Sequence, residues 1–151
     1  MYSLLRKGVI GIGVTGILMA GAGIISSNRT LPTFDMLDAH ENEVLASSPD
    51  LHSAVQAMSI YAPLDRHGFN TIVGQCVRIA KYAAQPSSRN THRVDAAGLR
   101  VTSRIRKIRR RVAEQSVNVS EILSEFDETA STLKEAIESH SFNMHQQMSS
   151  F

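Results

Sequence analysis

Residues 8–25, GVIGIGVTGILMAGAGII, run for 18 residues without a charged side chain, and Thr15 is their single strong polar group. That length is at the short end of what an α-helix needs to cross a bilayer. Arg6 and Lys7 precede the run and Arg29 follows it. The run predicts a single N-terminal transmembrane helix, an anchor over residues 1–27, with Gly8, Ile12, Gly16, Ala20 and Ile25 along it. Six of the nine glycines fall here. In water they would weaken a helix, but in lipid the backbone must bond to itself and helix is enforced. Gly13, Gly16, Ala20 and Gly23 share one face, which would let a second helix approach closely. The lipid bilayer is therefore the first partner implied, and a membrane the implied location.

A second reading of the same residues is a cleaved secretory signal. MYSLLRK is a positive start, the apolar run follows, and Ala20-Gly21-Ala22 is a small-residue cleavage site. Cleavage would release a secreted helical protein beginning at Gly23. Gly23, Ile24 and Ile25 carry the apolar run past that site, which favours a retained anchor. Two charges before the run against one after it lean towards a cytosolic N-terminus.

The remaining residues, 28–151, suffice for one domain with a modest core. Their patterning predicts an all-α fold, a small helical bundle behind the anchor. Pro32 and Thr33 open a first helix, with Thr33 as its N-cap. Ser48-Pro49-Asp50 starts a second: a serine cap, proline at the first position, an acid in the first turn. Tyr61-Ala62-Pro63 ends it. Asp65 begins a third helix with an apolar stripe through Phe69, Ile72, Val73, Cys76, Ala80 and Ala83. Gln85-Pro86-Ser87-Ser88 breaks it, and the stretch to Thr91 reads as a flexible loop.

Two long helices follow. The fourth, about residues 91–114, places Val94, Gly98, Val101, Ile105, Ile108 and Val112 at spacings of four and three. The fifth, about residues 119–145, continues that rhythm through Val119, Leu123, Phe126, Ala130, Leu133, Ile137, His140 and Met144. Residues 146–151 read as a fraying tail. A short turn between the two predicts a long antiparallel helical hairpin. The heptad seams fit this hairpin and a homo-oligomer equally well.

Charge separates these two helices. Residues 93–111 hold eight basic side chains and one acid, whereas residues 119–138 hold six acids and one lysine. Arg100, Arg104, Arg106, Lys107, Arg109, Arg110 and Arg111 form the candidate interaction face. It could be neutralised by the acidic helix, meet acidic protein surfaces, or bind phosphates of lipid or nucleic acid. No aromatic residue interleaves with the run RIRKIRRR, which weakens the single-stranded nucleic-acid reading.

Catalytic signatures do not appear. There is no G-x-S-x-G, P-loop, dinucleotide fingerprint or H-E-x-x-H, and the six histidines are scattered. His140 reads as a packed core histidine. Cys76, the single cysteine, excludes an internal disulfide and reads as a buried structural thiol. No catalytic residue, metal site or cofactor is expected, and the chain reads as non-enzymatic. Asn28-Arg29-Thr30 and Asn118-Val119-Ser120 match the glycosylation pattern, which three residues meet easily by chance.

FDMLDAHENEVLASSPDLHSAV at residues 34–55, YAPLDRHGF at 61–69, the basic helix, and SEFDE at 124–128 carry a family resemblance. Over residues 34–142 the chain resembles small helical, membrane-linked minor virion proteins of large DNA viruses of algae. The resemblance implies a capsid-associated structural protein that ties an internal virion membrane to shell proteins. It transfers no functional residue. The alternative function is a membrane-tethered nucleic-acid-binding protein using the basic helix.

Overall fold

The computed structural model describes residues 31–115 and 118–149. The anchor positions Gly8, Ile12, Gly16, Ala20 and Ile25 lie outside the described residues. Among those described, no helix is long and apolar enough to cross a membrane. The described helices all belong to one unit, Thr33–Phe151. They are α1 (Ala39–Ala46), α2 (Pro49–Ala57) with a 3₁₀ turn at Met58–Tyr61, α3 (Arg66–Ala83), α4 (Ser88–Gln115) and α5 (Val119–Ser149). Among the described residues there is no strand, and the fold is an all-α bundle.

The entry into the bundle differs from the expected helix at Thr33. The first helix begins at Ala39, where Asp38 and Glu41 form a reciprocal capping box. Residues 34–38 instead make a turn held by the Asn42 side chain. The Phe34 N–H donates to Asn42 Oδ1 at 2.8 Å, and Asn42 Nδ2 donates to the carbonyls of Phe34, Leu37 and Asp38 at 3.1–3.2 Å. The turn allows Phe34 to fold back into the core, against His52 and Phe69. A helix through Phe34 would forgo that burial.

The starts of α2 and α3 lie where expected. Pro49 is the first residue of α2, although the Ser48 side chain makes no cap bond. Asp65 caps α3 by accepting from the Gly68 N–H at 2.9 Å. The stripe on α3 is buried from Phe69 to Ala80, and Val77 and Ile79 are buried with it. Burial is this wide because α3 packs on α1, α2, α4 and α5. It is the central helix of the bundle.

The chain leaves helix at residues 84–87, at the expected break, but the expected loop stops short of Thr91 because α4 begins at Ser88. Ser87 is an N-cap: its hydroxyl accepts from the Asn90 N–H at 3.0 Å, and its carbonyl from the Thr91 N–H at 2.8 Å. Thr91 is buried within the first turns of α4. The seam of α4 is buried at Val94, Ala97, Val101, Ile105, Ile108 and Val112. Gly98 sits beside it, where a Cβ would come within 3.2 Å of Ile137 on α5. Glycine there lets the two helices approach closely.

Helices α4 and α5 run antiparallel. Arg109 meets Asp127 near one end of the pair, and Asp95 meets Ser141 and His145 near the other. The helical pattern of α5 extends to Ser149, through residues expected to fray. Tyr61 meets Phe126 edge-on at 4.9 Å, tying the 3₁₀ turn to α5. The buried histidine is His52, 2% exposed. His140 instead lies at the rim, with Nε2 3.4 Å from Asp50 of α2. Position 140 points towards the N-terminus of α2, where a carboxylate is available to the imidazole.

Candidate interaction surface

Helix α4 forms because its apolar residues recur at helical spacing, and the same spacing sorts its cations. Arg89, Arg93, Arg100, Arg104, Lys107 and Arg111 fall within a sector of about 60° at 3.6 residues per turn. Their row spans about 33 Å at 1.5 Å per residue. Five of these six are exposed and Arg104 is half-buried. Arg106 and Arg110 occupy the adjoining outward sector and are also exposed. Arg109 lies about half a turn round from the row, facing α5.

Arg109 is the member of the set with an ion-pair partner. Its Nε and a terminal nitrogen bind the two carboxylate oxygens of Asp127 at 2.7 and 3.0 Å. That bidentate hydrogen bond, and secondarily the Arg109 charge, hold the Asp127 carboxyl below its usual range. Among the described residues, Arg100, Arg104, Arg106, Lys107, Arg110 and Arg111 have no ion-pair partner. Neutralisation by the acidic helix therefore does not extend along the basic helix. The reason is rotational: one neighbour on one flank meets one residue in three or four.

The opposite flank of α4 borders α3. There the Arg93 guanidinium lies over the Tyr82 ring, 5.2 Å from its centroid. Arg89 and Arg93 belong to the row but are not among the candidate residues read from the dense run 100–111. Their signal was the four- and seven-residue spacing. Helix α3 adds exposed Arg78 and Lys81 and contains no acid. Residues 66–115 thus carry twelve of the 16 Lys and Arg, and two of the 14 Asp and Glu. Residues 31–65 carry six acids and no Lys or Arg. The bundle is electrically segregated, with α3 and α4 positive and its other helices negative.

A second polar cluster among the described residues joins α4 to α5. Asp95 accepts from Ser141 Oγ at 2.6 Å and meets His145 Nε2 at 3.0 Å. The carboxylate is in the middle of this trio. A nucleophilic serine needs the imidazole in that place, to take its proton. The trio acts as a clasp between α4 and α5. Beside it an open groove of about 430 Å³ is lined by Gly98, Thr102, Lys134, Ile137 and Glu138. Among the described residues, no three His, Cys, Asp or Glu side chains are placed to hold a metal ion. Cys76 is fully buried, and burial pushes its thiol up to about 12, which leaves it inert.

No family model, curated protein or solved structure matches this chain.

Proposed function

We propose that the protein is a non-enzymatic, membrane-anchored structural component whose helical domain docks other proteins of an assembly through the basic row of α4. The assembly, on the resemblance of residues 34–142, is a virion in which the chain links an internal membrane to the capsid shell. The observation that carries the reading is the exposed row at Arg89, Arg93, Arg100, Lys107 and Arg111, none of which has an ion-pair partner among the described residues. Like charges three and four residues apart on a helix repel and lower its stability. A chain that keeps them against that cost uses them on something outside the bundle. The uncharged run at residues 8–25 supplies the membrane link.

The test is incorporation. A chain with Arg100→Glu, Arg104→Glu, Lys107→Glu and Arg111→Glu should stay helical and membrane-bound, and be lost from assembled particles. Normal incorporation removes the row from the account. A second reading, nucleic-acid binding, is favoured by the length of the row, about one turn of duplex. It requires binding to duplex that weakens steeply as salt rises. Failure of the chain to bind duplex at low salt sinks it.

A further inference from the structure

We propose that the α4–α5 hairpin pairs face to face with the same hairpin of a second copy, through the groove between its two helices. That face is about a third of a turn round α4 from the basic row, so the docking reading above stands or falls separately. Three observations carry the proposal.

The first is apolar. Leu99 is 72% exposed and Phe142 61%, the two largest exposures among the big apolar residues described. A single exposed apolar residue needs no partner, but these two flank one groove. Leu99 lines its α4 bank, and Phe142 lies one turn beyond Glu138, which lines its α5 bank. Between the banks the lining is apolar at Val94, Gly98 and Ile137. A face with apolar projections beside an apolar hollow can match itself across a two-fold axis.

The second is charge. On α4, Leu99, Arg106 and Arg110 fall within a sector of about 40°. On α5, Glu135, Glu138 and Phe142 fall within about 60°. One bank is therefore basic and the other acidic. All four charged side chains are exposed, and none has an ion-pair partner among the described residues. Lys134, also on the α5 bank, is half-buried and acts on Asp127.

Two kinds of two-fold axis can lay this face on its copy. One crosses the helices and sets α4 on α4, cation against cation. The other runs along them and sets α4 of each copy on α5 of the other, antiparallel, as the two helices already lie within one molecule. The product is a four-helix arrangement. Asp95 on Ser141 and Arg109 on Asp127 put position 135 level with position 101, about 7.5 Å from Arg106 along the axis. Side chains lean towards the N-terminus of their helix, so Arg106 of one copy and Glu135 of the other lean towards each other.

The third is extent. Over about 30 Å of their length the two helices offer a face about 20 Å wide, or roughly 1,200 Å² summed over two copies, where specific interfaces begin. The contact is closed, so association stops at the dimer.

The experiment is sedimentation velocity on the full chain in detergent, over a range of concentrations. Three variants are compared with the parent: Leu99→Gln with Phe142→Gln, Arg106→Glu with Arg110→Glu, and Glu135→Lys with Glu138→Lys. All six positions are exposed, and circular dichroism checks that each variant is as helical as the parent. The parent should be a dimer, and each variant alone should dimerise at least about tenfold more weakly. Mixing the two charge variants should restore the dimer. The docking variant, Arg100→Glu with Arg104→Glu, Lys107→Glu and Arg111→Glu, should dimerise as the parent does. A monomeric parent overturns the proposal. So does a dimer indifferent to all three variants, which belongs to another surface, and so do assemblies that grow past the dimer with concentration. If the parent is monomeric and the Leu99 and Phe142 variant is lost from particles, the face belongs to another protein of the assembly and the second copy is rejected. Normal incorporation of the docking variant, with the dimer intact, rejects the docking reading and leaves this one standing.

Discussion

Helices α3 and α4 lie side by side and obey the same period, yet they use their surfaces differently. Eight of the 18 residues of α3 are buried, and it touches every other helix of the bundle. Seven of the 28 residues of α4 are buried, in a single seam, and its remaining sectors carry nine basic side chains. The first helix is committed to packing. The second packs through one seam, held between α3 and α5, and presents charge on its outer sectors. The difference teaches that a periodic stripe tells which face is buried, whereas the side chains off the stripe tell whether the helix has further business with solvent or a partner.

The comparison breaks first at α3 if it is wrong. Ile72 is fully buried there, and Ile72→Ala should cost about 2–5 kcal/mol, through lost burial and the cavity left behind. Urea unfolding followed by circular dichroism measures it. The Cys76 thiol offers a parallel readout, since it should resist alkylation in the folded parent and react in step with unfolding. A loss under 1 kcal/mol would deny α3 its central place.

A smaller effect is expected at Asn42, which holds the turn before α1 with four hydrogen bonds. Asn42→Ala leaves the Phe34 backbone groups without these partners and should cost about 1–3 kcal/mol. The same titration measures it, and α4 should be unaffected. An unchanged midpoint would mean that Phe34 docks without the turn.

The smallest effect belongs to the ion pair between α4 and α5. Asp127 titrates below the usual carboxyl range because Arg109 holds its ionised form. Its contribution to stability is therefore present above the unfolded carboxyl pKa, and is lost as pH falls through the lowered one. Both partners are about half exposed, so solvent screens the pair. Asp127→Asn should barely move the unfolding midpoint at neutral pH, and should shallow its fall in acid. A large loss at neutral pH would mean that charge pairing, rather than the buried seam, joins the two helices.

Much of this bundle is legible in its sequence. The stripe from Phe69 to Ala80 and the seam from Val94 to Val112 follow directly from helical spacing, and Asp65 and Pro49 mark their helices by local chemistry. The misreadings lie where a side chain acts at a distance or where one residue type has two uses. Asn42 reaches back eight residues to hold Phe34, and no periodicity signals that. Ser87 follows a proline and resembles loop, yet it caps α4. His52 and His140 look alike in sequence; one is buried against Phe34, and the other lies at the rim beside Asp50. The cations of α4 were visible individually, but Arg109 and Arg110 are adjacent and identical. Only the 100° between neighbours on a helix gives the first a carboxylate and leaves the second exposed.

The central claim is that the basic row of α4 is not part of what holds the fold together. Urea unfolding of the full chain in detergent tests it most directly, comparing the parent with Arg100→Gln, Arg104→Gln, Lys107→Gln and Arg111→Gln combined. The account predicts a midpoint equal to the parent's or slightly higher, because repulsion along the row is relieved at about 0.2–0.5 kcal/mol per close pair. A loss of more than about 2 kcal/mol, beyond what surface substitutions away from such contacts produce, would show that the row serves the bundle itself and would contradict the account.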